Sequence, residues 1–273
     1  MATTLQLLGH ELRWQLLGHL SNSDLKVGEL IAATGAAQNL VSYHLRLLRD
    51  AGLVRERRSS ADGRDVYYSL DRRAVTAGLL GALSEINPGA EVLTAGLSKE
   101  PRSAGRLVSV LFLCTGNSAR SQIAEAILRE RGGRRLLVRS AGTRPVGVHP
   151  QVYKVLRERG VRAGNLRSKS VGELAGQAFD HVVSLCDIAR SGPIKLNGAP
   201  RLVHWSIPDP VAARGSSAVA RAFGRVADEI ELRVDDFYAD LLYRKSARRR
   251  RTKHEPGFRP DHPSAHRARR AGP

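Results

Sequence analysis

The chain has 273 residues, longer than one ordinary domain, and 42% of them are hydrophobic, enough for the packed cores of two domains. Its formal charge of +18 suits a nucleic-acid partner without specifying one, because arginine is spread along the chain and piles up at the C-terminus. Two cysteines, Cys114 and Cys186, exclude a disulfide scaffold. The early Leu-rich stretch is broken by His10, Glu11, Arg13 and His19, and no run of about 18 apolar residues could span a bilayer, so a cytoplasmic chain with reduced thiols and no membrane partner is expected.

In chain order, apolar positions at helical spacing (Leu5, Leu8, Leu12, Leu16, Leu17, Leu20) predict one helix over residues 3–20. A second helix fits 27–34, ended by Gly35, and a third 37–51, with Val41, Leu45 and Leu48 inward and Gly52 at its end. Residues 53–58 and 66–70 read as strands around a turn containing Asp62-Gly63, and a helix over 72–86 closes the unit. Helix, helix, helix, hairpin is an α+β winged helix-turn-helix domain over residues 1–87. Residues 88–106, punctuated by Pro88, Gly89, Gly96, Pro101 and Gly105, read as a linker.

From residue 107 strands alternate with helices. The apolar run 108–113 suits a strand buried on both faces, followed by a helix at 121–131, a strand at 136–138, a helix at 149–159, strands at 181–185 and 202–205, and a long helix at 216–242. Such alternation predicts an α/β domain over 107–242, a central parallel sheet with helices on both faces. Apolar periodicity vanishes after Leu242, and the basic stretch 243–273 reads as a disordered tail.

The chemistry concentrates at Cys114-Thr115-Gly116-Asn117-Ser118-Ala119-Arg120-Ser121, where a buried strand ends and a helix begins. Amides at a helix N-terminus converge on an anion, and the same field favours a thiolate, lowering a cysteine pKa from about 8.5 to between roughly 3.5 and 7.5. Cys114 is then a nucleophile, with Thr115, Gly116, Asn117, Ser118 and Ala119 as an oxyanion cradle. Arg120 offers a planar fork for two equatorial oxygens, and Ser121 can donate its hydroxyl to the Cys114 sulfur.

Four landmarks occur in order: C-T-G-N-S-A-R-S at 114–121, S-A-G-T at 140–143, F-D-H-V-V-S-L-C-D at 179–187 and H-W-S-I-P-D-P at 204–210. Together they make the second domain resemble the low-molecular-weight protein tyrosine phosphatase family and, within it, the thiol-linked arsenate reductases. The resemblance implies that Asp209 is the general acid that protonates the leaving oxygen and that Cys186 is a redox thiol. Phosphatases of this family usually carry an aromatic residue after the Asp-Pro pair, where this chain has Val211, which favours arsenate over a phosphoester.

Thioredoxin-linked relatives use a third cysteine a few residues after the second; here that stretch reads Ser191-Gly192-Pro193. Two electron routes stay open: a small thiol of the mycothiol or glutathione type, or a redoxin behind it, resolving the Cys114 adduct, or Cys186 attacking it. No tightly bound cofactor and no metal are expected. A phosphomonoester hydrolase and a non-catalytic oxyanion or redox sensor controlling DNA binding are the alternatives.

In the first domain the 37–51 helix presents Gln38, Asn39, Ser42, Tyr43 and Arg46 away from its apolar stripe, side chains able to read base edges, while Arg55, Arg57, Arg58 and Arg64 on the hairpin can reach phosphate. The run V-S-Y-H-L-R-L-L-R-D-A-G-L-V at 41–54 resembles the ArsR-type winged-helix repressors. That implies a homodimer on a two-fold double-stranded operator, paired through the first and last helices. The family's arsenite- and zinc-sensing members use cysteines. Residues 1–106 contain none, and His10, His19 and His44 read as surface or packing histidines.

Overall fold

The structure, a computed structural model, describes residues 4–87, 107–191 and 196–253. The whole of the expected linker, 88–106, and the last twenty residues of the tail lie outside these segments.

The first helix is two: α1 (Thr4–Leu8) and α2 (Glu11–Leu20). The break falls at Gly9-His10, where the His10 ring nitrogen caps α2 by accepting from the Leu12 N–H at 3.2 Å, so a continuous apolar stripe hid a local stop signal. A two-residue strand that the sequence reading lacks, β1 (Leu25–Lys26), runs directly into α3 (Val27–Thr34). Gly35 ends α3 in the left-handed region at φ 67°, returning its N–H to the Ile31 carbonyl.

Helix α4 (Gln38–Asp50) buries Val41, His44, Leu45 and Leu48 and exposes the opposite side. The hairpin of β2 (Val54–Arg58) and β3 (Val66–Leu70) joins β1 in a sheet ordered β1-β3-β2. Helix α5 (Arg72–Ile86) is capped by the Asp71 carboxylate on the Ala74 N–H and packs beside α1. Leu16, Leu30, Val41, Leu45 and Leu48 form the dry centre of this domain.

In the second domain four parallel strands, β4 (Val108–Cys114), β5 (Leu136–Gly142), β6 (His181–Ser184) and β7 (Arg201–His204), lie in the order β5-β4-β6-β7. Central β4 is buried on both faces, which explains its unbroken apolar run. Val110, Phe112 and Cys114 face a large core shared with α6 (Arg120–Gly132), α7 (Pro150–Glu158) and α9 (Ser216–Lys253). Leu111 and Leu113 face a smaller cluster closed by the 3-10 turn Val171–Leu174 and by Phe179. The second face is thus covered by irregular chain where helices were expected.

Helix α9 continues to Lys253, eleven residues beyond the boundary drawn from the sequence. Its extension lacks an apolar stripe but is rich in helix-forming Arg and Lys and free of Pro and Gly, so propensity carries the helix where periodicity predicts none. The short α8 (Asp187–Ser191) follows β6 and completes the elements around the site.

Candidate functional site

The 114–121 turn is shaped from outside. The carbonyls of residues 114–118 point away from the centre: Cys114, Thr115, Gly116 and Ser118 accept from the amides of Thr143, Arg144, Val146 and His149, and Asn117 accepts from the Gln122 side chain. With the carbonyls tied back, the amides of Thr115 to Ala119 make no hydrogen bond to another described residue. They are the ready-made anion donors that a strand-to-helix turn supplies.

Asn117 sits at φ 43°, a left-handed conformation that a non-glycine residue holds only when its surroundings fix it. Its side chain donates to Ser121 Oγ and Ser140 Oγ, both at 2.9 Å, and accepts from the Lys169 N–H at 2.7 Å and Gln122 Nε2 at 3.0 Å. Ser140 in turn bonds the buried Glu125 carboxylate, which faces Arg129 and Lys169. Gly142 passes so close behind the turn that a Cβ there would lie 2.6 Å from the Thr115 carbonyl oxygen and 2.8 Å from the Asn117 nitrogen. This supporting layer escaped the sequence reading; its only signal was the Ser140-Ala141-Gly142-Thr143 landmark.

At the bottom, Cys114 Sγ lies 2.9 Å from Ser121 Oγ. Burial pushes the Cys114 thiol up from its ordinary range, opposed by the Arg120 guanidinium and the Ser121 hydroxyl and backbone N–H. The outcome differs from the lowered value expected of a helix N-terminus alone: in the closed turn desolvation outweighs the cation.

Arg120 is buried and held by the Ile207 carbonyl and Asp209 Oδ2, each at 3.0 Å. Asp209 caps the 3-10 turn Pro210–Ala212 through the Val211 N–H and stays open to solvent at the rim. Cys114, Thr115, Gly116, Ser118, Ala119, Arg120 and Asp209 line one cleft of about 350 Å³, whose mouth is completed by Arg144, Val146 and Val211. Arg144 and Val146 were not anticipated. Cys186 is buried beside the turn, its Sγ 3.3 Å from Thr115 Oγ1. A larger cleft of about 770 Å³ lies between the domains, lined by opposed charges such as Arg72, Arg233, Glu229 and Asp236, without a cysteine.

In the first domain Gln38, Asn39, Ser42, Tyr43 and Arg46 share the exposed side of α4, with the Arg46 guanidinium over the Tyr43 ring. The hairpin arginines are divided. Arg58 and Arg64 are exposed at the tip, and Arg55 pairs with Asp71 at 3.4 Å. Arg57, expected at phosphate, points instead into the second domain, where it meets Asp187 and Ser206. His10 and His44 pack ring on ring at 4.3 Å, and among the described residues no cluster of three or more His, Cys, Asp or Glu could hold a metal.

Comparison with known proteins matches both halves. Residues 109–247, half of the chain, fit the family described as low molecular weight phosphotyrosine protein phosphatase, and residues 10–56 fit the bacterial regulatory protein, arsR family. An arsenate reductase of Halalkalibacterium halodurans is 36% identical over 129 residues, and one of Bacillus subtilis 37% over 130; each match covers 47% of this chain and 93% of the relative. A solved arsenate reductase in a phosphate-binding state aligns with 49% of this chain and 98% of its own at a TM-score of 0.42 and 25% identity. The chain belongs to the low molecular weight phosphotyrosine protein phosphatase family, preceded by an arsR-family helix-turn-helix domain.

Proposed function

We propose that the protein is a DNA-binding regulator fused to a thiol-dependent arsenate reductase. The observation that carries the enzymatic half is the Cys114 thiol at the floor of an amide-lined, Arg120-flanked turn with Asp209 across the cleft. Arsenate is taken up by the amides of residues 115–119 and by the Arg120 fork. Cys114 passes its proton to an arsenate oxygen, attacks arsenic in line, and a hydroxide leaves as water with a proton from Asp209. The aliphatic Val211 and the reductase relatives support arsenate over an aromatic phosphoester.

In the reductive step a donor thiolate attacks Cys114 Sγ, the S–As bond breaks, and its electron pair stays on arsenic, which leaves as arsenite. Cys114 is then in a mixed disulfide that a second thiol reduces. A small thiol of the mycothiol or glutathione type is the donor in this reading, motivated by the missing third cysteine. A specific observation favours a second route: Cys186 lies against the turn, within reach of its Thr115 hydroxyl, and its thiolate attacks Cys114 Sγ, releasing arsenite and leaving a Cys114–Cys186 disulfide that a donor thiol reduces. Arsenite release measured with several thiol donors on wild type and Cys186→Ser separates the two. Retained turnover with a small thiol supports the first; equal loss in Cys186→Ser and Cys114→Ser supports the second.

The regulatory half rests on the arsR-family match and on the exposed polar face of α4. The reading includes a homodimer on an operator and a cytoplasmic location. Gel shifts on operator-like duplexes test it: binding that falls steeply with salt is expected.

A further inference from the structure

The two domains meet along a charged surface that the arsenate chemistry does not use, and its centre is Asp187. This carboxylate is fully buried and follows Cys186 directly in the chain. Within its own domain it accepts from Ser206 Oγ at 2.6 Å and faces His204 Nε2 at 3.1 Å. The rest of its acceptor capacity is filled from the wing: the Ser60 N–H at 2.7 Å, Ser60 Oγ at 3.0 Å, Ser59 Oγ at 3.2 Å, and the Arg57 guanidinium at 3.1 and 3.2 Å. Arg57 also donates from Nε to the Ser206 carbonyl at 2.7 Å.

Neighbouring contacts hold the same arrangement. Arg233 of α9 grips both oxygens of Asp24 at 2.9 Å, the Ser206 N–H reaches Asp24 at 2.8 Å, and Arg190 of α8 pairs with Glu29 while lying over the Tyr67 ring. None of these contacts involves α4, whose outer side stays open.

A guanidinium fork, a backbone amide and two hydroxyls at a hairpin tip form the donor set that typically grips a DNA phosphate, and a carboxylate with two oxygens presents the same planar acceptors to a guanidinium. Here that donor set is occupied from within. We propose that Asp187 is an internal phosphate mimic: the second domain and the DNA backbone compete for one surface of the wing, so that full DNA engagement requires Arg57, Ser59 and Ser60 to leave Asp187. The proposal rests on the DNA-binding reading of the first domain. By linkage the competition is reciprocal, and DNA that captures the wing uncovers the α8 segment next to Cys186.

The test is fluorescence anisotropy of the full chain with a duplex that it selects from a random-sequence library, at several salt concentrations, for wild type, Asp187→Asn, Ser206→Ala, Arg57→Gln and the double variant Arg57→Gln/Asp187→Asn. Asp187→Asn is expected to bind at least about fivefold tighter than wild type. Its salt dependence should steepen by about one phosphate contact. Ser206→Ala should move the same way by less, which keeps the test open if Asp187→Asn fails to fold by circular dichroism. Arg57→Gln should barely change wild-type affinity yet cancel the gain in the double variant. Equal affinity and salt slope for wild type, Asp187→Asn and Ser206→Ala would overturn the proposal. So would Arg57→Gln weakening wild type as strongly as it weakens Asp187→Asn. No binding of any duplex by any variant would instead overturn the DNA-binding reading itself, a result distinct from binding indifferent to Asp187.

Discussion

The Ser121 hydroxyl lies 2.9 Å from the Cys114 sulfur and also accepts from Asn117 Nδ2 at 2.9 Å, which leaves its proton available to the sulfur when Cys114 is a thiolate. A hydroxyl donating to the sulfur stabilises the thiolate more than the thiol, and it partly offsets the burial that raises the group.

Removing that donor should therefore raise the Cys114 pKa further. For Ser121→Ala, the pH midpoint of iodoacetamide inactivation should move upward, and kcat/KM at neutral pH should fall by about tenfold or more. Arg120→Ala should move the midpoint the same way, because the guanidinium also pulls the thiol down. A midpoint unchanged in both variants would show that the charge on Cys114 is set elsewhere.

Gly142→Ala tests the turn from behind. Its Cβ would meet backbone atoms 2.6 and 2.8 Å away, which have no rotamer to yield, so the turn itself must shift. A displacement near 1 Å at reacting atoms costs about a hundredfold in rate. Turnover should fall by that order while the thermal midpoint falls only modestly, measured by arsenite release and calorimetry on one preparation.

The strand-turn-helix frame of the site was legible in the sequence because it is local: Cys114, Arg120 and Ser121 lie within eight residues, at a change from strand to helix. Asp209 was legible only through the resemblance of its surrounding residues. Asn117 was visible as a member of the turn, but its partners Ser140 and Lys169 are 23 and 52 residues away; Ser140 stood out only as part of the 140–143 landmark, and nothing in its local pattern marks Lys169.

The domain interface was invisible for the same reason. Arg57 and Asp187 are 130 residues apart, and β2, reading Val-Arg-Glu-Arg-Arg, shows no apolar side by which to tell an inward arginine from an outward one. The missed break at Gly9-His10 and the missed extension of α9 both come from weighing periodicity above local capping and propensity.

Domain docking should be acid-sensitive, with a sign that follows from Asp187. Burial would raise this carboxyl, but hydrogen bonds from His204, Ser206 and the Ser60 amide, with the Arg57 charge, outweigh it and hold it far below the usual carboxylate range. A depressed folded pKa contributes stability that is fully present above the unfolded value near 4 and is lost as pH falls below it. The thermal midpoint of Asp187→Asn should therefore lie below that of wild type at pH 7, with the gap closing below about pH 4. A constant gap from pH 7 to pH 3 would show that the carboxylate charge is not what holds the domains.

The most direct test of the central claim is arsenite production from arsenate by the full chain with a thiol donor, compared with hydrolysis of an aryl phosphate by the same preparation. Thiol-dependent arsenite release that Cys114→Ser abolishes and that exceeds phosphate release under matched conditions is the expected result. Efficient aryl phosphate hydrolysis with no thiol-dependent arsenite would contradict it and make the domain a phosphatase.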